Sequence, residues 1–370
     1  MNILIVLNNL RVANGVATVI MNQYDELIKN NCKVDFLQFI EFDSPYVKKI
    51  LCNGGKIYTI NKNDKNIFKL KKILTNKKYD IIHINQLNEI SVKIAFLSKV
   101  VGIKKIIYHS HNTKITASFK KRLLEKVSNY SFCILSNKLL ACTKEAGIDS
   151  FGKRKFTILK NAIDVDKFEF DNNLRKKLRK ELDIKSNEFV VGTVCRYCNQ
   201  KNPMLMLDII SEVVKIHNDA KFLWVGSAPN ENDEIVNQIN EKIKKLDLSK
   251  NVLLVGSKSD VYKWYSVMDV FIMPSKWEGL GITYIEAQAN SLPTFASDVV
   301  PKDTMITDLI EYISLEKEPE YWAKRICTKK IRNESQKKVD KQNFINKGYD
   351  IKYYGDELYK IYINAMEKEN

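Results

Sequence analysis

Short apolar, β-branched runs recur along the chain, separated by stretches in which apolar residues return every three or four positions. The first run is Asn2–Leu7, and others follow at Val34–Phe39, Lys56–Ile60, Asp80–Ile84, Lys105–Tyr108, Leu139–Cys142 and Phe156–Leu159. Alternation of strand-like and helix-like patterns predicts a parallel sheet joined by crossover helices. A second series runs through Phe189–Val194, Lys221–Ser227, Asn251–Ser257, Asp269–Met273 and Ser291–Asp298. At 370 residues the chain exceeds one ordinary core. The two series therefore predict an α/β protein of two Rossmann-like domains, residues 1–170 and 188–348, with the junction near 169–187. There Arg175–Leu182 reads as a charged connecting helix. A last helical segment, Ile351–Met366, places Tyr354, Leu358 and Ile361 on one stripe.

Ligands of parallel sheets collect at the carboxyl ends of strands, so the chemistry is sought there. After Asp269–Met273, Pro274 and Ser275 end the strand, and Glu278-Gly279-Leu280-Gly281 lets backbone approach a ligand closely. Ile282, Ile285 and Ala289 then have helical spacing. Free amides and the positive end of a helix make this a candidate diphosphate cradle. Glu278 and Glu286 stand eight positions apart, about 12 Å if helical, which is the reach from a ribose across a diphosphate to a sugar ring. Arg196 and Lys201, two cations five apart in the loop after Phe189–Val194, suit a diphosphate as a planar fork and a mobile point charge. His109 and His111 lie two apart where Lys105–Tyr108 runs out into a loop. Gly15 sits in the turn after the first strand, either to ease that turn or to face a ligand. The Gly-x-Gly-x-x-Gly of dinucleotide binders is absent there.

The Glu-x7-Glu pattern behind a strand and glycines resembles the signature of the retaining family-4 glycosyltransferases. His109-Ser110-His111-Asn112 looks like their capsular and exopolysaccharide subgroup, and Asn161-Ala162-Ile163-Asp164 resembles the segment that closes their first domain, with Ala162 in place of glycine. The resemblance implies the GT-B fold, two Rossmann-like domains facing each other across a cleft, with the C-terminal helix (about 350–370) crossing back to the first. It implies transfer of a sugar from a nucleotide diphosphate donor, a UDP-sugar, to a glycan or lipid-linked acceptor in cell-surface polysaccharide synthesis. Arg196, Lys201 and the amides of Gly279, Leu280 and Gly281 are implied to stabilise the leaving diphosphate. Glu278 and His111 would control the sugar, Glu286 would hold the ribose, and Gly15 matches a residue facing the donor phosphates. For His111 a hydrogen bond that merely fixes the loop is the other reading. Ser291 stands where the family usually has glycine, in a turn. No metal or cofactor is expected, since the cations and the helix end take the charge.

Charge changes the picture for the first half. Residues 1–170 hold 29 Lys and Arg against 14 Asp and Glu, so nearly all of the net +16 lies there. Two segments, Lys62–Lys78 (Lys62, Lys65, Lys69, Lys71, Lys72, Lys77, Lys78) and Lys114–Lys126 (Lys114, Lys120, Lys121, Arg122, Lys126), interleave this charge with apolar residues. They read as amphipathic helices resting on an anionic membrane, as solvated faces, or as recognition of a lipid-pyrophosphate acceptor. No motif of nucleic-acid readers accompanies the charge, so no nucleic-acid partner is expected. A non-enzymatic basic binding module and a GT-B nucleotide-sugar epimerase are the rival readings. Seven scattered cysteines and a first segment without the form of a secretion signal predict a cytoplasmic protein with free thiols.

Overall fold

The computed structural model describes residues 1–370 except 13, 62–66, 86–87, 112–118, 229–233, 330–340 and 368–370, and gives only the backbone for 119–125. Asn112, Lys62, Lys65 and Lys114 therefore lie outside the described residues, as do the side chains of Lys120, Lys121 and Arg122. The chain divides into two compact units. Unit 1 is Met1–Ile163 with Gly348–Asn370, and unit 2 is Asp164–Lys347.

Unit 1 is built on a seven-stranded parallel sheet: β1 (Asn2–Leu7), β2 (Lys33–Gln38), β3 (Ile57–Thr59), β4 (Ile81–Ile84), β5 (Lys105–Ser110), β6 (Lys138–Ala141) and β7 (Thr157–Ile158). Their order is β3-β2-β1-β4-β5-β6-β7. Strand side chains alternate between faces, so Ile3, Ile5 and Leu7 share a face with Ile81, Ile107 and Leu140 in neighbouring strands. That face is covered by Ile20, Tyr24 and Leu27 of helix Gly15–Lys29 and by Leu358 and Tyr362 of helix Glu357–Glu367. The expected stripe shifts. Tyr354 belongs to a separate short helix, Ile351–Tyr354, and Ile361 is half-buried, because the chain breaks at Gly355 before the last helix begins.

Unit 2 has a six-stranded parallel sheet: β8 (Val190–Val194), β9 (Lys221–Val225), β10 (Val252–Gly256), β11 (Val270–Met273), β12 (Thr294–Ser297) and β13 (Ile310–Ile313). The order is β10-β9-β8-β11-β12-β13. Strand β13 escaped the sequence reading. It is a short edge strand whose middle residues, Glu311 and Tyr312, stay half-exposed, so it lacks the unbroken apolar run of a central strand.

The expected junction near 169–187 is corrected to Ile163/Asp164, and the two domains accordingly to the unit boundaries above. The charged helix, which spans Asn172–Glu181, is part of unit 2 and not a connector. Arg175 donates through Nη1 to the carbonyls of Ser266, Val267 and Met268 and through Nη2 to Asp269 Oδ1 at 2.6 Å. Arg179 donates to Asp269 Oδ2 at 2.7 Å, and the Val190 amide donates to the same oxygen at 2.8 Å. Arg179 and Asp269 are both buried. Burial of this carboxylate is sustained because it accepts from two guanidinia and a main-chain N–H.

Candidate functional site

In unit 2 the loops leaving β8 and β11 are bonded to each other. The Lys276 amide donates to the Gln200 carbonyl at 2.8 Å, Gln200 Nε2 donates to the Trp277 carbonyl at 3.0 Å, and Lys276 Nζ donates to Asn199 Oδ1 at 2.6 Å. This lacing brings Lys201 Nζ to 2.5 Å from Glu278 Oε1, and Ser275 donates its hydroxyl to that same oxygen at 2.7 Å. Glu278 and Ser275 are buried, while Lys201 keeps some solvent contact. A cation expected on the diphosphate and a carboxylate expected on the sugar are thus joined to one another. Arg196, on the same loop as Lys201, is exposed, and its guanidinium has no hydrogen bond or ion pair to the described residues.

Beyond Glu278 the chain passes buried Gly279 and Leu280 to Gly281, whose φ of +82° is one that side-chain-bearing residues rarely adopt. A Cβ on Gly281 would also lie 2.6 Å from the Tyr284 ring. Helix Ile282–Ala289 starts directly after it, with no side chain capping its first turn. The separation of the two glutamates is consequently not the helical rise expected, since Glu278 lies in the loop and only the stretch from Ile282 to Glu286 is helical. Glu286 is buried and accepts from the Tyr265 hydroxyl at 2.5 Å. Burial pushes its pKa up to about 7, against the pull of that hydrogen bond and of Lys167. Tyr265 has no counterpart in the sequence expectations, and Ser275 enters them only as the end of the strand. Ser291, in the turn where the family usually has glycine, has a φ of +61°, in the region that favours glycine.

Nearby, the Cys195 and Cys198 thiols of the same loop are free, and burial pushes Cys195 up to about 12, so it is a packed and unreactive group.

Unit 1 offers a different surface. Gly15 opens helix Gly15–Lys29 as its first residue, Asn14 caps it by accepting from the Val16 amide, and none of the described residues lies within 4 Å of a Cβ added at Gly15. At the ends of β4 and β5 three imidazoles lie against one another. His83 and His109 are parallel with centroids 5.5 Å apart, and His109 and His111 are 3.9 Å apart. His83 Nδ1 is 2.6 Å from the Tyr362 hydroxyl, and His111 Nε2 is 2.9 Å from Asn85 Oδ1. Burial lowers all three histidine pKa values, to about 3 for His83 and His111, so the rings are neutral at pH 7. Among the unanticipated members, His83 carried one signal: a polar residue inside the apolar run Ile81–Ile84.

Residues 175–344 match the family described as Glycosyl transferases group 1. That stretch is a group 1 glycosyl transferase domain. All of the unit 2 site residues, Arg196, Lys201, Glu278 to Gly281 and Glu286, fall within the group 1 domain. The whole chain is similar to a putative glycosyltransferase, EpsF, of Bacillus subtilis, 24% identical over 96% of this chain and 95% of that one. It is also 24% identical, over 82% of its length and 80% of the relative's, to an Escherichia coli UDP-Gal:alpha-D-GlcNAc-diphosphoundecaprenol alpha-1,3-galactosyltransferase. Among solved structures, Anabaena HepE in complex with UDP and glucose superposes with a TM-score of 0.79 at 15% identity, covering 98% of this chain and 99% of that one. That likeness shows the fold: two Rossmann-like units of the GT-B class.

Proposed function

We propose that the chain is a retaining glycosyltransferase that takes a UDP-sugar as donor and a carbohydrate or lipid-linked glycan as acceptor in cell-surface polysaccharide synthesis. The observation that carries this reading is the Lys201–Glu278 pair, held at 2.5 Å in laced loops just ahead of Gly281 and an uncapped helix. A diphosphate arriving at the helix end competes for the Lys201 ammonium, and Glu278 is then released to a sugar hydroxyl. A relative named for acting with UDP-Gal and a solved structure in complex with UDP support the donor class.

In this reading the bond between the anomeric carbon and the diphosphate oxygen breaks, and the anomeric carbon bonds to the acceptor oxygen. The acceptor's proton goes to the departing phosphate, and the nucleoside diphosphate leaves. The transition state has oxocarbenium character, so stabilisation is needed on the leaving group and at the sugar. Arg196, Lys201 and the amides around Gly279, Leu280 and Gly281 take the first task, and Gly15, at the start of helix Gly15–Lys29, faces the donor phosphates in this reading. Glu278 and His111 take the second, and Glu286 holds the ribose. The charge balance asks for no metal, so a chelator is expected to leave the rate unchanged.

The same reading puts unit 1 on the cytoplasmic face of an anionic membrane. Helices Glu89–Val100 and Phe119–Leu135 pack together, and they expose Phe96 and Val100 on one and Val127, Tyr130 and Ile134 on the other, at helical spacing, in the unit that holds the excess positive charge. Among the described residues no helix is long and apolar enough to cross a membrane.

A panel of nucleotide sugars read by thermal unfolding tests the donor. A true ligand at about 100 times its Kd adds about 2.7 kcal/mol. Glu278→Gln is expected to lower transfer about 100-fold or more while retaining the fold. Full turnover by that variant, or an epimer released without acceptor, would overturn the reading.

A further inference from the structure

Asn85 follows β4 and is buried, and its side chain meets the one histidine to which the proposed reaction gives a task. Its Oδ1 lies 2.9 Å from His111 Nε2, while its own Nδ2 points to the His83 carbonyl at 3.4 Å. A carboxamide oxygen can only accept. Nε2 must therefore carry the hydrogen, and a neutral imidazole has only one, so Nδ1 is left as a bare lone pair. We propose that Asn85 is a positioning residue that sets the tautomer of His111, so that His111 accepts a hydrogen bond from a hydroxyl of the donor sugar and rejects groups that can only accept. The substrate class follows: donors presenting a hydroxyl at that point, and not a carbonyl or carboxylate.

The surroundings keep the ring neutral. The titratable groups that face it among the described residues are His109 in β5, at 3.9 Å between centroids, and beyond it His83 in β4, which in turn contacts Tyr362 of helix Glu357–Glu367. None of these supplies a negative charge at neutral pH, and His109 has no hydrogen-bond partner on either nitrogen among the described residues. An imidazolium at His111 would find no counter-ion there and would turn Nδ1 into a donor. The inference rests on the reading that His111 meets the donor sugar.

Asn85→Asp keeps the shape and puts a carboxylate against Nε2. The pH profile of kcat/KM for this variant is expected to gain an acid limb between about pH 6 and 8, as His111 becomes protonated and loses its acceptor. The unaltered protein is expected to lack this His111 limb and to show in that range only what the Glu286 carboxyl, at about 7, contributes. Asn85→Ala is expected to lower kcat/KM about tenfold with no new limb. Independently of activity, long-range 1H–15N spectra of the 15N-histidine-labelled chain at pH 7 are expected to show His111 protonated at Nε2 and bare at Nδ1. A proton on Nδ1, or an Asn85→Asp profile that merely falls uniformly at all pH values, overturns the proposal. His111→Phe separates the two layers. Full transfer by that variant removes His111 from the reaction and the proposal with it. Lost transfer combined with an unchanged Asn85→Asp profile removes only Asn85.

Discussion

The two units furnish their strand ends with opposite chemistry. Unit 1 carries the excess of Lys and Arg, yet its strand ends hold three neutral imidazoles, an amide and a tyrosine. Unit 2 is nearly balanced in charge, yet it buries carboxylates against cations and hydroxyls: Asp269 with Arg175 and Arg179, Glu278 with Lys201, and Glu286 with Tyr265. Net charge therefore says little about what a site contains. Charge on solvated helices costs almost nothing, whereas each buried ion must be matched locally.

The contrast breaks most sharply on acidification. His83 and His109 have folded pKa values below the unfolded value of about 6.5. Below that pH the unfolded chain binds protons that the folded chain refuses, so stability present above pH 6.5 is lost as pH falls toward 3. The loss is roughly 1.4 kcal/mol per pH unit for each. All four tryptophans, Trp224, Trp264, Trp277 and Trp322, lie in unit 2. Far-ultraviolet circular dichroism is thus expected to fall on acidification before tryptophan fluorescence shifts, and coincident transitions would remove the distinction. A comparable loss awaits unit 2 in Asp269→Ala, which strands two guanidinia. About 3–5 kcal/mol is expected, read by tryptophan fluorescence in urea. Glu286 works in the opposite sense to the histidines. Its folded pKa of about 7 lies above 4.5, so stability falls as pH rises between those values. Glu286→Gln is expected to abolish that slope, which is at most about 3 kcal/mol over the window. The glycines sharpen the comparison at the smallest scale. Gly281→Ala is expected to cost about 1–3 kcal/mol and to weaken nucleotide binding, whereas Gly15→Ala is expected to change melting by less than about 0.5 kcal/mol.

What could be read from sequence was whatever a short stretch announces by itself. The apolar runs marked twelve of the thirteen strands, and glycine beside glutamate after a strand marked the unit 2 loop. Partners drawn from afar stayed hidden. Asn85 reaches His111 across 26 positions and Tyr265 reaches Glu286 across 21, through adjacent elements that no local pattern specifies. The misplaced junction has the same origin. A helix rich in Arg and Lys reads as solvated until Asp269, 90 residues beyond Arg179, is known to lie beneath it.

The last helix of unit 1 also dictates an order of events during synthesis. Leu358 and Tyr362 fill the interior formed by residues 1–163, so that interior stays incomplete until the segment carrying them has left the ribosome. Unit 2 is contiguous and can close while its predecessor still waits. The half translated first is the half that finishes last, and its unfinished apolar sheet face is what chaperones meet in the interval.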